Sequence, residues 1–204
     1  MSENHGSKSS QAEFLNLLHT RQGHFKFESG HHGNLWLDLD LLFLRPKVIQ
    51  PFIDQLAHQI SSFTIDAICG PMVGGALLAE TMAVALDREF YYTERVVPQN
   101  SDELYSVTYQ LPSHLHKSID GKNVAIVDDV INAGSAMHGT YEELQSLGAR
   151  TVVIASLLVL GDMGQKYFAE RNIPICSIAQ LPNEIWSPED CPLCAAQIPF
   201  EQLD

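Results

Sequence analysis

The stretch VAIVDDVINAGSA, residues 124–136, decides the fold class of this chain. It begins with apolar residues, reaches two adjacent acids, Asp128 and Asp129, and ends in small residues from Asn132 to Ala136. A short apolar run is typical of a buried strand, and a small-residue turn before an amphipathic segment is typical of a helix start. The stretch therefore predicts a strand, a turn and a helix in direct succession.

The same order of elements recurs on both sides of this stretch. Upstream, DAICGPMVGG (66–75) predicts a strand and a glycine-rich turn, and ALLAETMAVAL (76–86) predicts a helix. Downstream, RTVVIASLLVL (150–160) and PICSIAQL (174–181) predict strands, with a helix over MGQKYFAERN (163–172) between them. Alternating strands and helices of this length form a mostly parallel sheet flanked by helices. We therefore predict an α/β protein.

The N-terminal part of the chain has a different pattern. Residues 11–22 have apolar residues at helical spacing and predict a helix. HFKFESG (24–30) and NLWLDLDLLF (34–43) alternate apolar and polar residues and predict two strands joined by a turn. Pro46 then predicts the first turn of another helix.

These patterns indicate one domain. A chain of 204 residues that is 45% hydrophobic has enough apolar residues for a single core. We expect a disordered tail over residues 1–10 and one domain over 11–204. Within it, a small hood, formed by about residues 11–45 and the C-terminal tail, covers a core of about residues 46–182.

The charge of the chain argues against two classes of partner. The sequence has 12 basic and 25 acidic residues, a net charge of −13. Binding of nucleic acid or anionic lipid needs clustered Lys and Arg, and the sequence contains no such cluster. No apolar run reaches the roughly 18 residues of a membrane span, and the N-terminus lacks the apolar segment of a signal peptide. We expect a cytoplasmic protein with no nucleic-acid or membrane partner.

Two predicted turns have residues suited to an anionic ligand. Ligands of open parallel sheets bind beyond the carboxyl ends of the strands, where we expect Asp128 and Asp129. Small residues around Gly134 let a phosphate reach backbone N–H groups at a helix start, and Gly74 and Gly75 form a second such turn. Adjacent carboxylates can accept hydrogen bonds from ribose hydroxyls or hold the waters of a hard divalent cation. Together the two turns predict a sugar with phosphate at both ends.

The residues alone leave a second interpretation open. Carboxylates are common near helix starts, so the acid pair is also consistent with an ordinary charged loop. Glycine-rich turns occur in many α/β proteins without binding phosphate.

The stretch VAIVDDVINAGSA (124–136) closely resembles the phosphoribosyl-pyrophosphate (PRPP) motif of type I phosphoribosyltransferases. The resemblance extends over about residues 11–200 and is nearest to the orotate phosphoribosyltransferase branch. FKFESGHHGNLWLDLD (25–40) is similar to the N-terminal hood hairpin of that branch, and CGPMVGGALLAETMA (69–83) to its pyrophosphate loop and following helix. FYYTERV (90–96) resembles the strand with a PRPP-contacting arginine, here Arg95.

The resemblance implies an activity and its site. The enzyme would transfer ribose 5-phosphate from PRPP to a nucleobase and release pyrophosphate, with orotate as the base of pyrimidine nucleotide synthesis. Mg²⁺ would accompany PRPP, and two copies of the chain would form a homodimer. Asp128 and Asp129 would hold the ribose hydroxyls and, through water, the metal. The other residues that the resemblance assigns to PRPP are Arg95, Asn132, Ala133, Gly134, Ser135, Ala136, Gly74 and Gly75.

Some positions depart from the orotate pattern. The family's mobile lid has lysines after the Arg95 position, whereas Lys117 is the only Lys or Arg in residues 96–121, with His114 and His116 as further candidates. A base-contacting threonine is replaced by Asn132, and the arginine that grips the orotate carboxylate by Met163. These departures leave two alternatives open: a phosphoribosyltransferase for a different base, and a regulator that binds PRPP or a nucleotide without catalysis.

The four cysteines and the histidines of the hood turn are potential metal or ligand contacts. CPLC (191–194) has the spacing of half a zinc site, but a structural zinc ion needs four ligands. Cys69 and Cys176 fall in predicted core strands, so we interpret CPLC as a surface turn with free thiols. His31 and His32 fall in the hood turn and are predicted to be exposed, with contact to the base or to a second subunit as the alternative.

Overall fold

Two β-sheets organise the protein in the computed structural model, which describes residues 3–27, 29–96 and 107–202. One sheet has six strands and the other has three. Within these described ranges, every helix is too short or too polar to span a lipid bilayer.

The chain begins with elements that belong to the smaller sheet and to one face of the larger one. They are α1 (Glu3–Leu15), β1 (Thr20–Lys26), β2 (His32–Leu37), α2 (Asp40–Phe43) and α3 (Pro46–Ile60). Strands β1 and β2 pair antiparallel, as the predicted hairpin requires. Pro46 is the first residue of α3, where its fixed φ suits a helix and its missing N–H costs nothing.

Two N-terminal predictions are wrong at their boundaries. Helix α1 begins at Glu3, within the stretch expected as a tail, and the Gln11 side chain donates a hydrogen bond of 3.3 Å to the Gln180 carbonyl. Residues 20–22 belong to β1 rather than to a helix, because Arg21 pairs with Trp36 across the hairpin. Residues 40–43 form a helical turn that buries Leu42, although their alternation predicted a strand.

The middle of the chain forms the large sheet and its helices. The elements are β3 (Ala67–Pro71), α4 (Gly74–Leu86), β4 (Glu89–Val96), β5 (Thr108–Gln110), α5 (His116–Ile119), β6 (Asn123–Ile131), α6 (Ser135–Ser146), β7 (Arg150–Leu160), α7 (Met163–Ala169) and β8 (Ile175–Leu181). The strand order is β5-β4-β3-β6-β7-β8, and only β5 pairs antiparallel to its neighbour. The predicted α/β class with a mostly parallel sheet is confirmed.

Strand β6 lies in the middle of the sheet and is buried on both faces. Val124 and Ile126 pack in the apolar cluster on the α6 side, whereas Ala125 and Val127 pack in the cluster that contains α3 and α4. This alternation is the period of two expected for a strand. It determines which face each of the two following acids points to.

The C-terminal tail completes the smaller sheet. It contains β9 (Ile185–Trp186) and the short helix α8 (Pro192–Ala195), neither of which the sequence pattern predicted. Strand β9 pairs with β2, so the sheet order is β1-β2-β9. We call these three strands the hood sheet.

Candidate active site

A cavity of about 240 Å³ lies between the hood sheet and the carboxyl ends of β6 and β7. Its first wall is formed by Asp128, Val130, Leu160 and the loop and helix start at residues 132–137. The hood side contributes Phe27, Ser29, Leu35, Trp36, Leu37 and Leu39. One wall therefore offers backbone groups and the single carboxylate of Asp128, and the other is mostly apolar.

The small-residue loop (132–136) is shaped by Gly134. This residue is the N-cap of α6 and has a φ of 86°, a conformation that glycine adopts without steric cost. A Cβ at this position would lie 2.9 Å from Nε2 of His138 and 3.2 Å from Cα of Gly164. The first N–H groups of a helix have no acceptor within it. The start of α6 at the cavity is thus suited to bind an anion.

The acid pair divides between two faces. Asp128 is 7% exposed and lines the cavity, and its Oδ1 accepts a hydrogen bond of 3.0 Å from the Asp129 N–H. Oδ1 of Asp129 accepts one of 2.8 Å from the Val130 N–H. Burial raises the pKa of Asp129, and the nearby charge of Asp40 also raises it. Only Asp128 is directed into the cavity, as strand alternation predicts.

The glycine-rich turn lies against the acid pair. A Cβ on Gly75 would stand 2.8 Å from Oδ1 of Asp128, and a Cβ on Gly74 would collide with the carboxylate of Asp129. The two carboxylates occupy the space that side chains at these positions would need. The structure therefore brings together the two turns that the sequence predicted as anion sites, with the acids between them.

The predicted site residues do not all reach the cavity. Asp128 and the loop residues Asn132, Ala133, Gly134, Ser135 and Ala136 line it. Met163 is 39% exposed at the start of α7 and lines two neighbouring cavities instead. Arg95 is exposed on β4, opposite Tyr109 of β5, and Tyr109 lines a cavity of about 300 Å³ together with Ser135.

Of the candidates for the lid lysine, His116 makes its contacts away from the cavity. Nε2 of His116 is 2.8 Å from the Leu111 carbonyl and 4.0 Å from Oε1 of Glu143. Glu143 is eight residues into α6 from its start at the cavity, a distance of about 12 Å along the helix. Residues 97–106, the first part of the predicted lid, lie outside the described residues.

Sequence reasoning missed the aromatic side of the cavity. The rings of Phe27 and Trp36 stack with an interplanar angle of 10° and centroids 6.3 Å apart, and Trp36 Nε1 donates to Oδ1 of Asp38 at 2.9 Å. The alternation of NLWLDLD predicts a strand but gives no signal for the cavity, because Leu35, Trp36 and Leu37 all line it although neighbouring strand residues point to opposite faces.

His138 is a second residue that the sequence did not single out. Its ring stacks on Tyr167 with centroids 3.7 Å apart, and burial lowers its pKa. The backbone N–H of His138 donates to the Gly134 carbonyl. Within the described part of the chain, Nε2 of the His138 ring has no hydrogen-bond partner. The available signal was its place one helical turn after Gly134.

Comparison with known proteins agrees with this arrangement. A family model described as a phosphoribosyl transferase domain matches residues 47–193. The chain is 30% identical over 188 residues to an orotate phosphoribosyltransferase of Carboxydothermus hydrogenoformans, covering 91% of each chain.

Solved structures share the fold. An orotate phosphoribosyltransferase from Aeropyrum pernix aligns with a TM-score of 0.61 and 19% identity, covering 85% of this chain and 93% of that one. An adenine phosphoribosyltransferase from Saccharomyces cerevisiae aligns with a TM-score of 0.64 and 26% identity, covering 84% and 99%. With the family model matched over most of its length, the chain belongs to the phosphoribosyltransferase family.

Proposed function

We propose that the protein transfers ribose 5-phosphate from PRPP to a nucleobase, with orotate as the first base to test. One observation carries the proposal: a single cavity has a helix start and the carboxylate of Asp128 on one wall and stacked aromatic rings on the other. The first wall suits a phosphorylated sugar, and the second suits a flat base.

The reaction asks little covalent chemistry of the protein. A base nitrogen forms a bond to the anomeric carbon as the bond from that carbon to pyrophosphate breaks, and the bonding electron pair leaves with pyrophosphate. Positive charge develops on the sugar in between. The protein therefore has to hold the reactants in line and stabilise the separating charges.

The residues of the first wall have distinct proposed roles. The N–H groups at the start of α6 and the Ser135 hydroxyl bind the 5-phosphate, and Asp128 accepts hydrogen bonds from ribose hydroxyls. The turn at Gly74 and Gly75 is proposed to face pyrophosphate beside the acid pair. Arg95, on the neighbouring strand β4, is proposed to contact the same diphosphate.

The donor set fits Mg²⁺. Carboxylate oxygens are hard ligands, and Asp128 and Asp129 present two carboxyl groups beside the turn proposed for pyrophosphate. These two residues would hold the metal through its waters. When bound, Mg²⁺ supplies charge stabilisation to the leaving pyrophosphate.

The base remains the part of the proposal that needs measurement. Met163 cannot form the paired hydrogen bonds that arginine makes to a carboxylate. Losing such a charge-assisted contact costs about 1.5–3 kcal/mol, a factor of roughly 10 to 150 in affinity. We therefore propose to measure pyrophosphate release from Mg²⁺–PRPP with orotate, uracil, adenine, hypoxanthine and guanine. Turnover with orotate supports the first assignment, and turnover with only another base replaces orotate.

A second candidate function is a regulator that binds PRPP without turning it over. The supporting observation is that Lys117, the only Lys or Arg of residues 96–121, lies exposed in α5, beside the His116 that contacts Leu111 and Glu143 away from the cavity. Calorimetric titration with Mg²⁺–PRPP separates the two candidates. Binding with no pyrophosphate release for any base favours the regulator, and release with one base favours the enzyme.

We also propose a homodimer, as the family resemblance implies. Leu44, Val73 and Leu77 are 73%, 61% and 46% exposed and line one groove beside Gly74. Light scattering after gel filtration should give twice the mass of one chain, and Val73→Glu should shift the protein towards monomer. A wild-type mass equal to one chain contradicts the proposal.

A further inference from the structure

Four potential metal ligands from distant parts of the chain meet at one end of the hood sheet. His24 lies on β1 and His32 on β2. Cys191 directly precedes α8, and Cys194 lies within it. One ligand atom from each residue lies within 4.8 Å of all the others. The sequence interpretation of CPLC as a surface turn with free thiols lacked the two histidines, which lie more than 150 residues upstream.

The distances within this Cys₂His₂ cluster match those around a tetrahedral ion. Nε2 of His24 is 3.5 Å from Sγ of Cys191 and 3.8 Å from Sγ of Cys194, and Nδ1 of His32 is 3.3 Å from Sγ of Cys194. With Zn–S near 2.3 Å and Zn–N near 2.0–2.1 Å, tetrahedral zinc separates its sulfur and nitrogen ligands by about 3.5 Å. The side chains are thus already spaced for one zinc ion.

Neighbouring groups orient the ligands. Nδ1 of His24 lies 2.7 Å from the Ile198 carbonyl, so the ring donates its Nδ1–H there and directs the lone pair of Nε2 towards the thiols. Such a carbonyl partner is the usual support of a metal-bound imidazole. The Cys194 N–H donates to Sγ of Cys191 at 3.5 Å.

The cluster is closed to solvent on most sides. His24, His32 and Cys191 are 1%, 5% and 2% exposed, and Cys194 is the one ligand that reaches the surface. The Phe200 ring covers both imidazoles, with centroid distances of 4.1 Å to His24 and 4.8 Å to His32. Four protein ligands in a closed site are typical of structural zinc, since catalytic zinc keeps a position open for water or substrate.

We propose that His24, His32, Cys191 and Cys194 bind a structural Zn²⁺ ion that fastens the C-terminal tail to the hood sheet. The same hairpin provides Phe27, Ser29 and Trp36 to the cavity, so the ion supports the apolar wall of the active site from outside it. The backbone joins the tail to the hairpin at few points, namely the two pairs of β9 with β2 and the Glu201 N–H donating to the His24 carbonyl at 2.8 Å. The metal ties these elements together without contacting substrate.

The test is the metal content of the full chain, produced without a histidine tag and purified without chelator under reducing conditions. We expect about one zinc per chain by plasma mass spectrometry. Cys194→Ser and His32→Gln should lose the metal. Cys176→Ser and His31→Gln are matched controls, because they alter a cysteine and a histidine outside the cluster, and they should retain it.

A second measurement covers variants that fail to fold. Cobalt added to chelator-treated wild-type protein should give the visible bands of a tetrahedral ion and a thiolate charge-transfer band, and zinc should abolish both. Purified protein that contains no zinc and binds neither metal overturns the proposal. Full zinc content in both ligand variants also overturns it. Neither measurement depends on catalysis, so the proposed function can fail while this site stands.

Discussion

The two walls of the cavity differ in how the chain builds them. The loop wall, Asp128 with residues 132–137, comes from one continuous segment and uses backbone N–H groups and a carboxylate. The hood wall is apolar and belongs to a hairpin that the end of the chain must complete. The difference teaches that the wall proposed for the 5-phosphate and ribose is a local property of the sequence, whereas the apolar wall proposed for the base depends on distant segments.

The strongest way to break this comparison is Asp128→Asn. We expect kcat/KM for PRPP to fall about 100-fold, because a carboxylate that accepts hydrogen bonds from ribose hydroxyls is worth about 1.5–3 kcal/mol. Steady-state pyrophosphate release measures the effect. Asp54→Asn, on the exposed face of α3, is the control and should leave the rate unchanged. A loss under threefold in Asp128→Asn would remove Asp128 from the proposed site.

Gly134→Ala tests whether the loop wall depends on backbone shape. The positive φ costs a non-glycine residue about 1–2 kcal/mol, and the new Cβ also crowds His138. We expect PRPP affinity to fall about 10-fold by calorimetry.

Gly121→Ala is the matched control for this variant. Gly121 has a φ of 74° with open space around its Cβ position, in a turn away from the cavity. It should lower thermal stability by a similar amount without changing PRPP affinity. Equal loss of PRPP affinity in both variants would mean that global destabilisation, rather than loop shape, explains the result.

Trp36→Ala sharpens the comparison from the hood side. Removing the indole that stacks on Phe27 should raise KM for the base about 5- to 10-fold, in keeping with the roughly 0.5–1.5 kcal/mol of an aromatic pair. The dissociation constant of PRPP, measured without base, should stay within about twofold. Trp36→Phe should recover most of the loss. A parallel fall in PRPP affinity would mean that the two walls are not separable.

Asp129→Asn is expected to lower activity less than Asp128→Asn, because Asp129 does not line the cavity and is proposed to reach the metal only through water, and to raise stability. Burial raises the pKa of Asp129, so the folded protein binds this proton more tightly than the unfolded chain does. Stability therefore falls as pH rises from the ordinary carboxyl pKa through the raised one, and asparagine removes that loss. The variant should melt at a higher temperature than wild type near pH 8, with the difference vanishing near pH 4. A difference that grows towards acid pH would contradict this assignment.

Features set by neighbouring residues could be predicted from the sequence, whereas features set by contacts between distant segments could not. The strand, acid pair, loop and helix of residues 124–146 were predictable because apolar period, small residues and helix start all act within a few positions. The short strand β9 and helix α8 were not predictable, since a two-residue strand exists only through its partner β2. The Cys₂His₂ cluster was missed for the same reason: CPLC is visible as a motif, but His24 and His32 join it only through the antiparallel pairing of β1 and β2. The helical turn of residues 40–43 was missed because burial of Leu42 overrode the local alternation.

The pairing of β9 with β2 also has a consequence for biosynthesis. The ribosome makes the first two strands of the hood sheet before the large sheet and the third strand after it. The nascent hairpin must therefore wait, with one edge unpaired, while the whole large sheet emerges and folds. Synthesis that stops short of residue 185 would release a chain that contains every strand of the large sheet but lacks β9, so the hood sheet would be incomplete.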